Sequence, residues 1–436
     1  MPNAATIPAD TLLEQAIARH KAGQLAAAED AYRMILAMEP GHAGANHNLG
    51  VILVQTGRVG DGLAHLERAV KSDDRTEQYF LSYARGLLAA GRPDDALAVL
   101  AHDAGLLDKW GSALLASGRP EAAIGAYRRA LTADPDCAEA HYHLGSLLSE
   151  SGRVAEGFAH FMRRAALVYG TGKRPATDEP DPPHKREHDL AQRNFLWNGN
   201  PPADAPQVPD MFRLADGARV QGPAVNPANA TTRLAQDWRC ANPQMVVMDD
   251  FLTPEALKKL RAYCAGSTVW RKNYPAGYLG AAPEDGFACP LLAQIVEEIQ
   301  TAFAPILGEE KFRYLGAFKY DSELCTGTNT HADNSGVNVN FYIAPDDANL
   351  DAQSGGMEIW DVGPPDLGAM RRLNASEGAV REFLQRAGAK RTVIPHRANR
   401  AVIFKSTLFH KTDNFKFKTD YLSRRINVSL LFGQFG

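Results

Sequence analysis

Residues 329–343 read NTHADNSGVNVNFYI, and the fold of the second half of the chain turns on them. His331 and Asp333 stand two apart. An alternating run follows, with Val337, Val339 and Phe341 on one parity and Asn338, Asn340 and Tyr342 on the other. In an extended chain, residues two apart project to the same side. The run therefore predicts a strand with one apolar and one polar face, and the imidazole and carboxylate ahead of it can converge on one point. Outward from this stretch, period-two runs recur at RYLGAFKY (313–320), GGMEIWDV (355–362), KRTVIPH (390–396), RAVIFK (400–405) and RINVSLLFG (425–433). Before them, an apolar strand, QMVVM, runs into Asp249 and Asp250. A helix follows with Thr253 as N-cap, Pro254 at its first position and Gly266 as its stop. A second helix over 290–303 places Leu292, Ile295, Val296, Ile299 and Phe303 along one face. Short strands preceded by two helices predict an all-β core, sandwich or barrel, with helical support.

Length and composition bound the rest. A chain of 436 residues can form two or three domains, and 45% hydrophobic content with 22% charged residues and a net charge of −4 describes a globular protein. Bulk charge gives no support to a nucleic-acid partner. No apolar run approaches the ~20 residues that span a bilayer, and the N-terminal residues lack a basic segment followed by an apolar one, so the expectation is a cytoplasmic protein without a membrane partner. The cysteines at 137, 240, 264, 289 and 325 are scattered and form no CxxC pair, which argues against both a disulfide framework and a thiolate zinc site.

The first 170 residues are repetitive. AGQLAAAEDAYRMIL, TGRVGDGLAHLERAV, AGRPDDALAVL, SGRPEAAIGAYRRAL and SGRVAEGFAHFMRRA open on Gly23, Gly57, Gly91, Gly118 and Gly152, spaced by 34, 34, 27 and 34 residues. That is a helix-turn-helix period of about 34 with one shortened unit. NHNLG (46–50) and HYHLG (141–145) supply the leucine-glycine of first helices, Ala28 and Ala123 the close contact, Tyr32 and Tyr127 the aromatic, and Pro40 and Pro135 the terminal turn. Residues 9–170 thus resemble the tetratricopeptide repeat family. The resemblance implies an all-α solenoid of about five units whose concave face grips a peptide or protein. His47, Asn48, His141 and His143 fall on first helices and could face that groove.

Between 171 and 230 lie ten of the 26 prolines. With φ fixed and no amide donor, they predict a linker or irregular wrapping over 171–237, without long helices or central strands; NFLWNG and DMFRLADG are the segments expected to dock on a neighbour. The β domain is expected over 238–436.

One imidazole and one carboxylate make two-thirds of a facial metal triad. His410, after the apolar run AVIFK and 77 residues beyond Asp333, is the preferred third ligand, with His396 in PHRANR as competitor. Two histidines and a carboxylate leave three positions of an octahedral ion open, as non-haem Fe(II) oxygenases require, whereas zinc closes to four ligands. In RRINVSLLFG, Arg425, Asn427 and Ser429 share one face, so an arginine can point inward from an apolar-backed strand. Such an arginine needs an anion. A one-residue shift of register would make Arg424 the inward one.

HxD, a distal histidine and an arginine opening the last core strand resemble the Fe(II)/2-oxoglutarate-dependent dioxygenases, in their prolyl-4-hydroxylase-like branch, over about 240–436. The resemblance implies a double-stranded β-helix, or jelly roll, with iron held by His331, Asp333 and His410. It implies 2-oxoglutarate paired with Arg425 and contacted by Tyr320, eleven residues ahead of His331, with the inward residues Asn338, Tyr342 and Asn427 beside it. Gly355 and Gly356 match the family's glycine pair. Oxidative decarboxylation of 2-oxoglutarate with O2 would yield succinate and carbon dioxide, and an aspartate ligand favours hydroxylation over halogenation. The long segment 363–391, with the helical SEGAVREFLQRAG, either shapes substrate access or elaborates the surface. A solenoid joined to such a domain points to a protein or peptide substrate. The alternatives are a small-molecule hydroxylase whose repeats serve assembly, and a catalytically silent scaffold.

Overall fold

The computed structural model describes residues 8–74, 76–172, 180–321 and 327–434, and the chain divides into two compact units, Met1–His143 and Leu144–Gly436. Cys325 and residues 173–179 of the expected linker lie outside the described residues. No helix among the described residues is long and apolar enough to cross a membrane.

The first unit is built of helix pairs: α1 (Ala9–Lys21) with α2 (Leu25–Met38), α3 (Ala43–Gln55) with α4 (Val59–Val70), α5 (Glu77–Ala89) with α6 (Pro93–Leu100), and α7 (Ala104–Ala116) with α8 (Pro120–Ala133). Each pair turns on one of the periodic glycines. Gly57 is typical: its φ of 82° is left-handed, and the Arg58 amide reaches back to the Leu53 carbonyl, which closes the end of α3. Close approach of helices is set by glycine as well. A methyl group on Gly50 would sit 2.9 Å from the Gly62 carbonyl oxygen, so α3 and α4 meet backbone to backbone. The 27-residue spacing reflects α6, which has 8 residues where α2 and α8 have 14. His47 and His143 bridge neighbouring repeats: the His47 ring bonds Ser82 Oγ at 2.9 Å, and His143 Nδ1 bonds Asp108 at 2.7 Å.

The repeat pattern continues through α9 (Ala138–Glu150) and α10 (Val154–Tyr169), but α10 is built into the second unit. Phe158 packs edge-on against Phe312, the Arg164 guanidinium donates to the Glu284 carbonyl at 2.7 Å, and the Tyr169 hydroxyl donates to Asp285 at 2.7 Å.

The proline-rich stretch departs from expectation. It contains a 14-residue helix, α11 (Pro183–Leu196), started by Pro183 at its first position, where a missing amide costs nothing. Its buried face is polar, carrying His184, Lys185, His188, Asp189 and Gln192, so no apolar periodicity announces it. Beyond it the chain does wrap the domain, with the Arg213 and Ala215 amides bonding the side chains of Thr268 and Ser267.

The remaining helices are α12 (Thr232–Cys240), α13 (Pro254–Gly266), α14 (Pro290–Ala302), α15 (Ala304–Leu307), α16 (Leu367–Asn374) and α17 (Glu377–Arg386). The strands are β1 (Met245–Met248), β2 (Lys272–Tyr274), β3 (Tyr278–Ala281), β4 (Phe312–Tyr320), β5 (Val337–Tyr342), β6 (Met357–Trp360), β7 (Arg391–Ile394), β8 (Ala401–Lys405), β9 (His410–Thr412) and β10 (Ile426–Phe432). They form a seven-stranded antiparallel sheet, β1-β8-β5-β10-β4-β3-β2, and a three-stranded one, β7-β6-β9, which an isolated bridge extends from His410 to His331. From β4 onward the chain crosses between sheets: β4 large, His331 small, β5 large, β6 and β7 small, β8 large, β9 small, β10 large. That alternation is the double-stranded β-helix. The apolar face of β5 turns away from the gap between the sheets, where Phe341 meets Phe251 with ring centroids 5.1 Å apart. Its asparagines face the gap.

Candidate metal centre

At the bridge between His331 and His410 the two backbones exchange hydrogen bonds of 3.0 and 2.8 Å, and the Asp333 amide bonds the Ser406 carbonyl at 2.9 Å. These bonds pin three side chains together. His331 Nε2 lies 3.7 Å from Asp333 Oδ1, His410 Nε2 lies 3.5 Å from Asp333 Oδ2, and all three ligand atoms fall within 4.8 Å of one another. His331 Nδ1 faces the Asn329 carbonyl at 2.7 Å and His410 Nδ1 the Leu408 carbonyl at 2.9 Å. A carbonyl only accepts, so each Nδ1 carries the proton and each Nε2 presents its lone pair to the shared centre. This is the tautomer a metal needs.

Burial by itself raises the Asp333 carboxyl; the adjacent His410 and His331 rings and the Asn338 amide outweigh it and bring the pKa down to about 2. Desolvation, then the neighbouring His410, lowers His331. An ionised carboxylate beside two imidazoles is a cation-binding set. His396 stands apart from it, its ring against Tyr342 and Phe417.

The same cavity, of about 100 Å³, is lined by Tyr320, Asn338, Asn427 and Arg425 together with the three candidate ligands. Arg425 is 2% exposed. Its Nε donates to the Gly355 carbonyl at 2.6 Å, one terminal nitrogen to Gly356 at 2.8 Å and the other to Asn427 Oδ1 at 3.0 Å. One N–H on each terminal nitrogen remains for an anion. The Tyr320 ring backs the guanidinium at 4.4 Å, and its hydroxyl is held by Thr412 at 3.0 Å. Arg424 points elsewhere, paired with Glu187 and with Asp321, and Arg425 is the one of the two that lines the cavity. Asn338 donates to Asp333 Oδ2 at 2.9 Å and accepts from Ser429 at 3.2 Å. Tyr342 shares the inward face but does not line the cavity; it fills the space between the sheets with Met357, Ile394 and Phe404.

Two groups of residues escaped the sequence reading. Thr328 and Thr412 line the cavity beside Asn340 and Ser429, which the strand alternation already places on the inward faces, and the 363–391 segment grips the candidate ligand loop. Asn374, the last residue of α16, accepts from the Ala332 amide at 3.1 Å and donates to its carbonyl at 2.8 Å, while Glu377 takes the Thr330 amide and hydroxyl at 2.8 and 2.9 Å. Ala332 packs on Met370, Val380 and Leu384 beneath. The signal available in sequence was the pair of N-caps, Asp366 and Ser376, that opens these helices.

Two stretches of the chain, residues 19–85 and 109–167, match the tetratricopeptide repeat family, and the N-terminal part is a tetratricopeptide array. No curated protein matches the chain. Among solved structures, the non-heme alpha-ketoglutarate-dependent carbocyclase SnoK from nogalamycin biosynthesis is 14% identical, with 49% of this chain and 87% of SnoK covered and a TM-score of 0.36. The epimerase SnoN from the same biosynthesis is 14% identical over 48% of this chain and 84% of its own, with a TM-score of 0.36. YrrB, a TPR protein with an unusual peptide-binding site, is 17% identical over 37% of this chain and 86% of its own, at a TM-score of 0.25.

Proposed function

We propose that the chain is an Fe(II)- and 2-oxoglutarate-dependent oxygenase that hydroxylates a protein or peptide recruited by its repeats, with the array over 9–170, a wrapping segment over 171–237 and the catalytic domain over 238–436. One observation carries this reading: two histidines and an aspartate with convergent ligand atoms share a cavity with a buried arginine that has no carboxylate partner among the described residues. The donor set fits iron, and the free N–H groups of Arg425 fit a carboxylate end-on.

His331, Asp333 and His410 would hold the metal. When bound, iron and 2-oxoglutarate supply the oxidising chemistry, in which one dioxygen is consumed as the oxoacid becomes succinate and carbon dioxide and a substrate C–H becomes C–OH. The chain's own part is placement. Asn338 fixes Asp333, the two backbone carbonyls fix the imidazole tautomers, and Arg425 orients the cosubstrate, stiffened by Tyr320 and Asn427. Met357 and Leu431 line the cavity with apolar surface that keeps water off the reacting groups. His331, about a third exposed, lies on the open side, where a substrate reaches the centre.

The test is anaerobic titration with Fe(II) and then 2-oxoglutarate, recording the visible charge-transfer band of the chelated oxoacid. The band is expected in the natural chain and absent from Arg425→Ala at the same concentrations. Iron binding without the band, or no iron binding, overturns the reading and leaves the scaffold.

A further inference from the structure

The β4–β10 strand pair separates two pockets. Phe318, Tyr320, Arg425 and Asn427 face the candidate metal cavity, while Lys319 and Ile426, paired in register, face the opposite side of the sheet. There they floor a second pocket of about 250 Å³, walled by Ile343, by α13 and by Phe195 and Leu422. An engineered cavity of roughly 150 Å³ holds benzene, so this one has room for a small organic molecule.

Its chemistry is uneven. The lining has two cations, Lys319 and Arg261, and no acid. Lys319 is 2% exposed, and its ammonium has neither a hydrogen bond nor an ion pair among the described residues. Its ammonium lies 3.5 Å from the centroid of the Tyr421 ring and 5.6 Å from that of Trp270. Two aromatic faces moderate a buried charge without neutralising it. Burial, then the nearby Arg424, pushes the Lys319 pKa well down, against the weaker pull of Cys264, Glu187 and Asp189. Around it the walls are apolar. Phe195 and Leu422 at the mouth are 38% and 52% exposed.

We propose that this pocket binds a small organic monocarboxylate with an apolar body, its carboxylate on the Lys319 ammonium and its body against Ile343, Ile426 and Leu422. One buried ammonium neutralises one unit of charge. A phosphate would need several buried donors, and of the two cations in the lining only Lys319 is buried, Arg261 being partly exposed. The site is distinct from the oxoacid position, since the two lie on opposite faces of the same strands, and it does not depend on the iron reading.

Isothermal titration calorimetry of the full chain with hexanoate and benzoate, against hexanol and benzyl alcohol, tests it. The acids are expected to bind roughly tenfold more tightly than the alcohols, a preference lost in Lys319→Met and kept in Arg425→Ala. Ala262→Trp, on the exposed side of α13, fills the pocket without touching the buried charge and is expected to abolish binding of acids and alcohols alike. It keeps the test decisive should Lys319→Met fail to fold. Equal binding of acids and alcohols, no binding at millimolar concentration, or a preference lost in Arg425→Ala but kept in Lys319→Met overturns the proposal.

Discussion

Asn338 shows how one polar residue on a strand acquires a role that composition does not reveal. Its amide holds Asp333 Oδ2 and its carbonyl is held by Ser429, so the carboxylate is held in place by the chain's own groups. Asn338→Ala is expected to weaken Fe(II) binding roughly 10- to 100-fold with the fold retained, as read by metal titration and circular dichroism. His396 is one residue whose protonation bears on stability. Desolvation first, and the Arg425 charge second, bring its pKa down to about 4. Unfolded, it titrates near 6.5, so between these values the unfolded chain binds the extra proton. Stability therefore falls as pH drops from about 6.5 to 4, by roughly 3 kcal/mol from this side chain. Denaturant unfolding at pH 7, 6 and 5 checks the slope. His396→Phe is expected to reduce it, and part of the remainder belongs to His188, fully buried beside Trp270 and Tyr421.

At the scale of elements, the α16–α17 insertion belongs to the machinery that shapes the ligand loop. Asn374 and Glu377 satisfy backbone groups on either side of His331, and Ala332, 2% exposed, has no water to replace them. Asn374→Ala is expected to lower Fe(II) affinity roughly tenfold while the melting temperature falls by only a few degrees, because the loop slackens and the sheets do not. An equal loss in Asn374→Ala of metal affinity and of the whole sheet's stability, by hydrogen exchange, would sink this role. α11 makes the converse point. A helix whose buried face is His, Lys, Asp and Gln cannot be seen by hydrophobic periodicity, and its prolines mark its start as well as its surroundings.

For the molecule as a whole, the division into units does not follow the motif boundary. The repeat pattern runs to Tyr169, yet α10 packs its Phe158 on β4 and so joins the sheet-bearing unit. Phe158 is 1% exposed, and Phe158→Ala is expected to cost about 3–5 kcal/mol. The second unit should then melt ahead of residues 1–143, giving two transitions in calorimetry. A single unshifted transition would mean that α10 is peripheral to the core.

The sequence by itself determined the elements whose signal is local. A 34-residue period needs only neighbouring helices, Gly57 needs only its own φ, and the alternation after Asp333 needs only the pleat of one strand. It also supplied the types and order of the candidate ligands. What only the tertiary structure decided is convergence. His410 and His396, like Arg425 and Arg424, have equal local chemistry; a bridge to His331 brings His410 beside it, and Glu187, 237 residues away in the chain, takes Arg424 and leaves Arg425 in the cavity. The grip of Asn374 on Ala332 and the charge of Lys319 beneath Tyr421 are likewise contacts between distant segments. Their energies come from burial and pairing across space, which no window along the chain contains.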